Sequence, residues 1–244
     1  MKKRLLSWLM VLTLCLTLLP TAALADTGAG ESSGEKHEHY LCGTSHNCSS
    51  TWDNKHEFKA WTSGNSLPTT IGEENGYYYL TTNVELEDTW APTTGMTLCL
   101  NGHSITMKDN KSVISFNNTY GSLTLVDCKG GNQTAPYGQI THASGSGHGV
   151  ELTGGTFNMY GGNITGNNTS DGGGGVYMKD RGTFNMYGGQ ITGNSTTYCG
   201  GGVYSDYQSS NNSTFNMYNG EISGNTADRD GGGVYNGNGT FTMC

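Results

Sequence analysis

The chain has 244 residues, with 12 Lys and Arg against 20 Asp and Glu and a formal net charge of −8. That acidity argues against nucleic acid, or any polyanion, as the main partner. Charged residues are only 13% of the chain while glycines number 39, so Asn, Thr, Ser and Gly must cover the surface, and the regular apolar positions traced below exclude a disordered chain.

Residues 1–25 read as a secretory signal peptide. Lys2, Lys3 and Arg4 form the basic start, Leu5 to Leu19 the apolar stretch, and Ala23-Leu24-Ala25 the cleavage site. The apolar run is too short for a membrane anchor, and no other segment reads as a membrane span. Leu14 precedes Cys15, where a lipoprotein signal wants a small residue, so no lipid anchor is expected. Cleavage removes three basic residues and leaves a mature chain of about −11, secreted to the exterior or the cell surface.

Residues 26–62 combine a Gly/Ser/Glu linker with a Cys/His-rich module. His37, His39, Cys42, His46, Cys48 and His56 crowd into 20 residues. Imidazole and thiolate together suit tetrahedral zinc, with Cys42 and Cys48 completed by two histidines such as His37 and His39. The spacing matches no standard zinc finger. A Cys42–Cys48 disulfide loop and an exposed His-rich linker remain open beside the metal reading. Cys99, Cys128 and Cys199 are scattered singly and read as buried free thiols.

Residues 63–95 carry Leu67-Pro68, Tyr77-Tyr78-Tyr79-Leu80, Val84-Glu85-Leu86 and Trp90. They read as irregular strands that cap the open apolar end of the domain that follows.

Residues 96–244 are a repeat. Thr-Phe-Asn-Met-Tyr, then Gly, Ile-Ser/Thr-Gly-Asn and Gly-Gly-Gly-Val-Tyr recur from Thr156, Thr183 and Thr214, and a further copy starts at Thr240. Phe157, Phe184, Phe215 and Phe241 are separated by 27, 31 and 26 residues. Apolar and polar residues alternate in runs of about five between glycines, which gives short strands and leaves no room for helices. One copy cannot bury a core, so copies must stack with like residues in ladders. The expected fold is all-β: a right-handed parallel β-helix of about five coils. Asn167, Asn194 and Asn225 follow Gly at one corner, where Asn tolerates left-handed backbone and its amide can reach the coils on either side. Upstream, Leu123, Leu125, Ile140 and Val150 fit one coil, and Leu98, Leu100, Ile105 and Val113 another. The chain stops at Cys244 inside a strand, so it is expected to be a fragment truncated at its C-terminus.

The run Leu98-Cys99-Leu100-Asn101-Gly102-His103-Ser104-Ile105 and the Gly-Gly-x-Ile-Ser/Thr-Gly-Asn copies resemble right-handed parallel β-helix surface proteins secreted by gut Gram-positive anaerobes. They are also similar to the repeats of chlamydial polymorphic outer membrane proteins. The resemblance implies adhesion or glycan binding, with a glycan or a host or cell-surface component as partner.

Tyr160, Tyr187 and Tyr218 alternate with buried Met, and Tyr177, Tyr204 and Tyr235 with buried Val, so both sets are expected to face outward as ligand-binding rows on which sugar rings could stack. The alternative is that the rings only stabilise one another. No catalytic residues are expected. Asp171, Asp180, Asp206, Asp228 and Asp230 fall in variable loops, Glu151 has no visible partner, and His142 and His148 read as solvent-exposed. A polysaccharide lyase or glycoside hydrolase remains the alternative class, since such enzymes can use this fold and need paired carboxylates. A structural stalk is the third reading.

Overall fold

The computed structural model describes residues 37–40, 55–70, 76–129, 134–206 and 212–244. The signal peptide, the linker, Cys42 and Cys48 lie outside the described residues. Among the described residues the structure is all-β with parallel sheets, 48% strand and 1% helix. Among the described residues no helix is long and apolar enough to cross a membrane.

The first ten strands are β1 (Glu38–Tyr40), β2 (Lys55–Glu57), β3 (Lys59–Trp61), β4 (Tyr77–Leu80), β5 (Val84–Leu86), β6 (Met96–Cys99), β7 (Ile105–Met107), β8 (Ile114–Val126), β9 (Gln139–His142) and β10 (Val150–Met159). β1 and β2 pair antiparallel, His39 opposite His56. Every other pairing among the described residues is parallel. One sheet runs β3, β4, β6, β8, β10 and then continues as two columns. The Val column is Val176–Met178, Val203–Ser205 and Val234–Asn236, and the Phe column is Thr183–Met186, Thr214–Met217 and Thr240–Met243. A second sheet stacks β5, β7, β9, Asn163–Thr165, Gln190–Thr192 and Glu221–Ser223. A third joins Asn168–Thr169, Ser195–Thr196 and Thr226–Ala227.

Register follows residue identity. Phe157, Phe184, Phe215 and Phe241 are aligned, as are the methionines two places on. The isoleucines align from Ile105 through Ile140, Ile164 and Ile191 to Ile222. Phenyl rings stack at 5.2, 4.8 and 4.8 Å down the Phe column. One apolar cluster runs from Leu67 to Phe215. A one-residue slip in any strand would turn its apolar side chains out of that cluster, so the pattern pins the register.

Three local readings change. Leu123 and Leu125 take the Phe and Met places as expected, but one layer up these places belong to Met96 and Leu98 rather than Leu98 and Leu100. A two-residue shift preserves the alternation, so the pattern alone could not decide it. Ile114, not Val113, pairs with Val150, and since both are fully buried either satisfied the pattern. The segment expected as an irregular cap is regular from Tyr77 on, because β4 and β5 add one in-register parallel layer above β6 and β7.

The corner asparagines do what their amides allow. Asn167 and Asn194 are buried. Asn167 donates to Ile140 O at 3.1 Å and to Asn194 Oδ1 at 2.9 Å. Asn194 donates to Ile164 O at 2.8 Å and to Asn225 Oδ1 at 2.9 Å. The left-handed residue at this corner is the preceding glycine, Gly166, Gly193 or Gly224, so the asparagine is there for hydrogen bonding and not for its φ. The glycines before the Val strand serve close approach. A Cβ on Gly175 would lie 2.5 Å from Gly202 O and 2.7 Å from Ile191 Cγ2.

β6 is buried on both faces. Met96 and Leu98 enter the main core, while Cys99 joins Phe58 and Val126 in a second small cluster with Tyr77, Tyr79 and Cys128 packed against it.

Candidate functional site

The outward place beside the buried Val holds Glu151, Tyr177, Tyr204 and Tyr235 in successive layers. His148, two residues before Val150, stacks on Tyr177 at 4.9 Å, and the rings continue from Tyr177 to Tyr204 at 5.7 Å and on to Tyr235 at 5.4 Å. Tyr204 takes the outward place but is only 3% exposed, so its ring is covered and not open to a ligand. It is held between two rings, over Gly172, where a Cβ would lie 2.4 Å from its ring. Tyr177 and Tyr235 are half-buried.

Beside this stack lies a groove of about 420 Å³, lined among others by Glu151, Asp171, Tyr177, Lys179, Tyr198 and Asp206. Tyr177 donates its hydroxyl to Asp206 Oδ2 at 3.0 Å. Burial first, and then the Asp206 charge, push that phenol well above its ordinary range. Ser112 donates to Glu151 Oε2 at 3.2 Å. Lys179 lies 5.7 Å from the Tyr177 ring and Arg229 4.6 Å from the Tyr198 ring. His148 is buried and donates from Nδ1 to Gly173 O at 2.9 Å. Burial holds its imidazole below the ordinary range, against the opposing pull of the Gly173 carbonyl, Glu151 and Asp171. The readings of His148 as solvent-exposed, of Asp171 and Asp206 as unrelated loop groups and of Glu151 as a residue with no partner are therefore corrected. The clue in the sequence was Glu151, which sits in register with the tyrosines once the Val places are aligned.

The second tyrosine row, Tyr160, Tyr187 and Tyr218, stacks at 4.6 and 4.9 Å. All three are half-buried, and burial followed by the neighbouring Tyr187 pushes Tyr160 up to about 12. Beside it Asn216 donates to Asn185 and Asn185 to Asn158, each at 2.9 Å. Between neighbours in both rows the facing ring surfaces cover each other. A sugar cannot stack between rings this close, so the inner rings, Tyr187 and Tyr204, offer no open face.

His37 and His39 come together with Cys99 and Cys128, and the four ligating atoms lie within 4.8 Å of one another. No other group of three or more such residues is found among the described residues. The reading of Cys99 and Cys128 as isolated buried thiols is corrected, since their sulfurs are 3.6 Å apart and Cys128 is only half-buried. Burial pushes the Cys99 thiol up, whereas the hydrogen bond from Cys99 and the adjacent imidazoles pull Cys128 down. Cys199 is buried, as expected.

No protein family, curated protein or solved structure matches this chain.

Proposed function

We propose that the three sheets close into a right-handed parallel β-helix, secreted to the cell exterior, that attaches non-catalytically to a glycan or another surface component through the Tyr177 groove. Parallel register in all three sheets supports the β-helix, and the strong preference of parallel crossovers for the right hand supports its handedness. The basic-apolar-small start of the sequence supports secretion. The observation that carries the binding reading is the groove, in which three carboxylates and a tyrosine hydroxyl edge one depression beside an aromatic stack. Carboxylates accept from sugar hydroxyls, and a phenol both donates and accepts. With Glu151, Asp171 and Asp206 against Lys179, the groove favours neutral or amino sugars over uronate or sulfated polymers.

The same three carboxylates favour glycoside hydrolysis as a second reading. The full chain on a glycan array, followed by analysis of the bound sugar for cleavage, tests both. Retention of a neutral or amino-sugar class that falls at least about tenfold in Tyr177→Phe and Asp206→Asn supports attachment. Released fragments would move the assignment to hydrolysis, and a blank array from folded protein would remove both.

A further inference from the structure

We propose that His37, His39, Cys99 and Cys128 bind one zinc ion, which clamps the N-terminal β1–β2 hairpin onto the outer face of the long parallel sheet. Two imidazoles and two thiols make up an N₂S₂ donor set, of the kind that zinc takes in closed four-ligand sites. Zinc holds sulfur at about 2.3 Å and nitrogen at about 2.0–2.1 Å, so tetrahedral ligands stand roughly 3.3–3.8 Å apart. The two sulfurs are 3.6 Å apart, Cys128 Sγ is 3.8 Å from His37 Nε2, and the two Nε2 atoms are 2.8 Å apart. The two imidazoles need to part by about half an ångström, and the rest of the set, which spans no more than 4.8 Å, has to close by up to about 1 Å around the ion.

The ligands come from separate parts of the chain. His39 is in β1 and His37 just precedes it. Cys99 ends β6, and Cys128 lies two residues past β8. Each is oriented by its surroundings, as metal ligands must be. The His37 ring lies flat on Tyr79 at 4.0 Å, and the His39 ring meets Phe58 edge-on at 4.7 Å. Phe58 N donates to His37 O at 2.8 Å, which ties the histidine strand to the residue plugging the small cluster. Asn101 Oδ1 sits 3.2 Å from Cys128 Sγ, and its amide donates to Leu80 O at 3.0 Å.

A clamp here has a physical role. β1 and β2 have three residues each, and a lone two-stranded hairpin is marginal in water. Phe58 and the His37–Tyr79 stack give it a small apolar footing, and a bound ion would join it to β6 and to the segment after β8. Cys99 and Cys128 could instead oxidise to a disulfide, but that bond would leave the two converging imidazoles without a task.

The test is zinc binding by the full chain, prepared with a thiol reductant, stripped by a chelator and titrated with zinc against a chromogenic competitor, with cobalt(II) as spectroscopic substitute. One equivalent should bind. Cobalt should give tetrahedral visible bands and thiolate charge-transfer absorption. His39→Ala and Cys128→Ser should each weaken binding by more than the roughly 10–100-fold that losing an outer partner of a ligand costs, whereas the Cys42→Ser, Cys48→Ser double variant should bind as the parent does. His39 and Cys128 are only partly buried, and circular dichroism checks that these variants fold. No stoichiometric binding, binding that is lost with Cys42 and Cys48 but kept without Cys128, or a Cys99–Cys128 disulfide in protein isolated without reductant would each overturn the proposal.

Discussion

The side-chain amide of Asn194 stands inside a corner between Ile164 O, to which it donates at 2.8 Å, and Asn225 Oδ1, to which it donates at 2.9 Å, while its own oxygen accepts from Asn167. Asn194→Ala removes these three bonds and a fourth, which its oxygen accepts from Asn167 N at 3.2 Å, at a position 1% exposed, leaving buried groups of two neighbouring layers unsatisfied. It should cost at least about 1–3 kcal/mol. Asn185→Ala breaks a similar amide chain on the half-buried surface row, where water can replace the partner, and should cost only about 0.5–1.5 kcal/mol. Urea midpoints of the two variants measure the contrast, and equal losses would show that the corner amides are not special.

Tyr187 is pressed between Tyr160 and Tyr218, so neither of its faces is open to a ligand. Tyr187→Leu removes two ring contacts of roughly 0.5–1.5 kcal/mol each and should lower stability by about 1–3 kcal/mol. Glycan retention should be unchanged. If thermal stability holds while retention falls, this row, and not the Tyr177 groove, is the binding surface.

His148 links folding to pH. Its imidazole is buried against Tyr177 and held below its ordinary range. Glu151, Asp171 and the Gly173 carbonyl favour its charged form and His142 disfavours it, but burial outweighs them. Above about pH 6.5 the imidazole is neutral in both folded and unfolded chains and contributes no pH dependence. Below that, the unfolded chain takes up a proton that the folded one resists, so stability falls with pH until the depressed folded value is reached. His148→Gln should flatten this part of the profile. Denaturation midpoints of the parent and the variant between about pH 7 and pH 5 isolate the difference, and parallel curves would refute it.

What the sequence made legible was whatever repeats. Phe157, Phe184 and Phe215, the Ile series and the corner asparagines announce their own register, because identical residues at matching places can only stack on one another. Legibility fades where that identity fades. Leu98 and Leu100 are interchangeable to an alternating pattern, and Val113 and Ile114 are both apolar. The candidate sites lie further out of reach, since they are made across layers. His37 meets Cys128 over 91 residues, and Tyr177 meets Asp206 over 29. Local spacing favoured Cys42 and Cys48 as partners of the histidines because they are near in sequence, while Cys99 was hidden in a strand whose outer face gives no sign that a hairpin will cover it.

The asparagine row has a direction. Each amide donates a hydrogen bond to the oxygen of the next layer, from Asn167 to Asn194 to Asn225, so the aligned dipoles reinforce one another. A duplicated stretch such as residues 168–194 would slot into that row, and into the Phe, Ile and Val columns, with every donor finding an acceptor. A gene encoding such a chain can therefore lengthen or shorten by whole layers with little disturbance to those that remain. An insertion of one residue within a strand has no such route. The spacings of 27, 31 and 26 residues fit this quantised tolerance, in which surface loops drift in length while the number of layers changes only by integers.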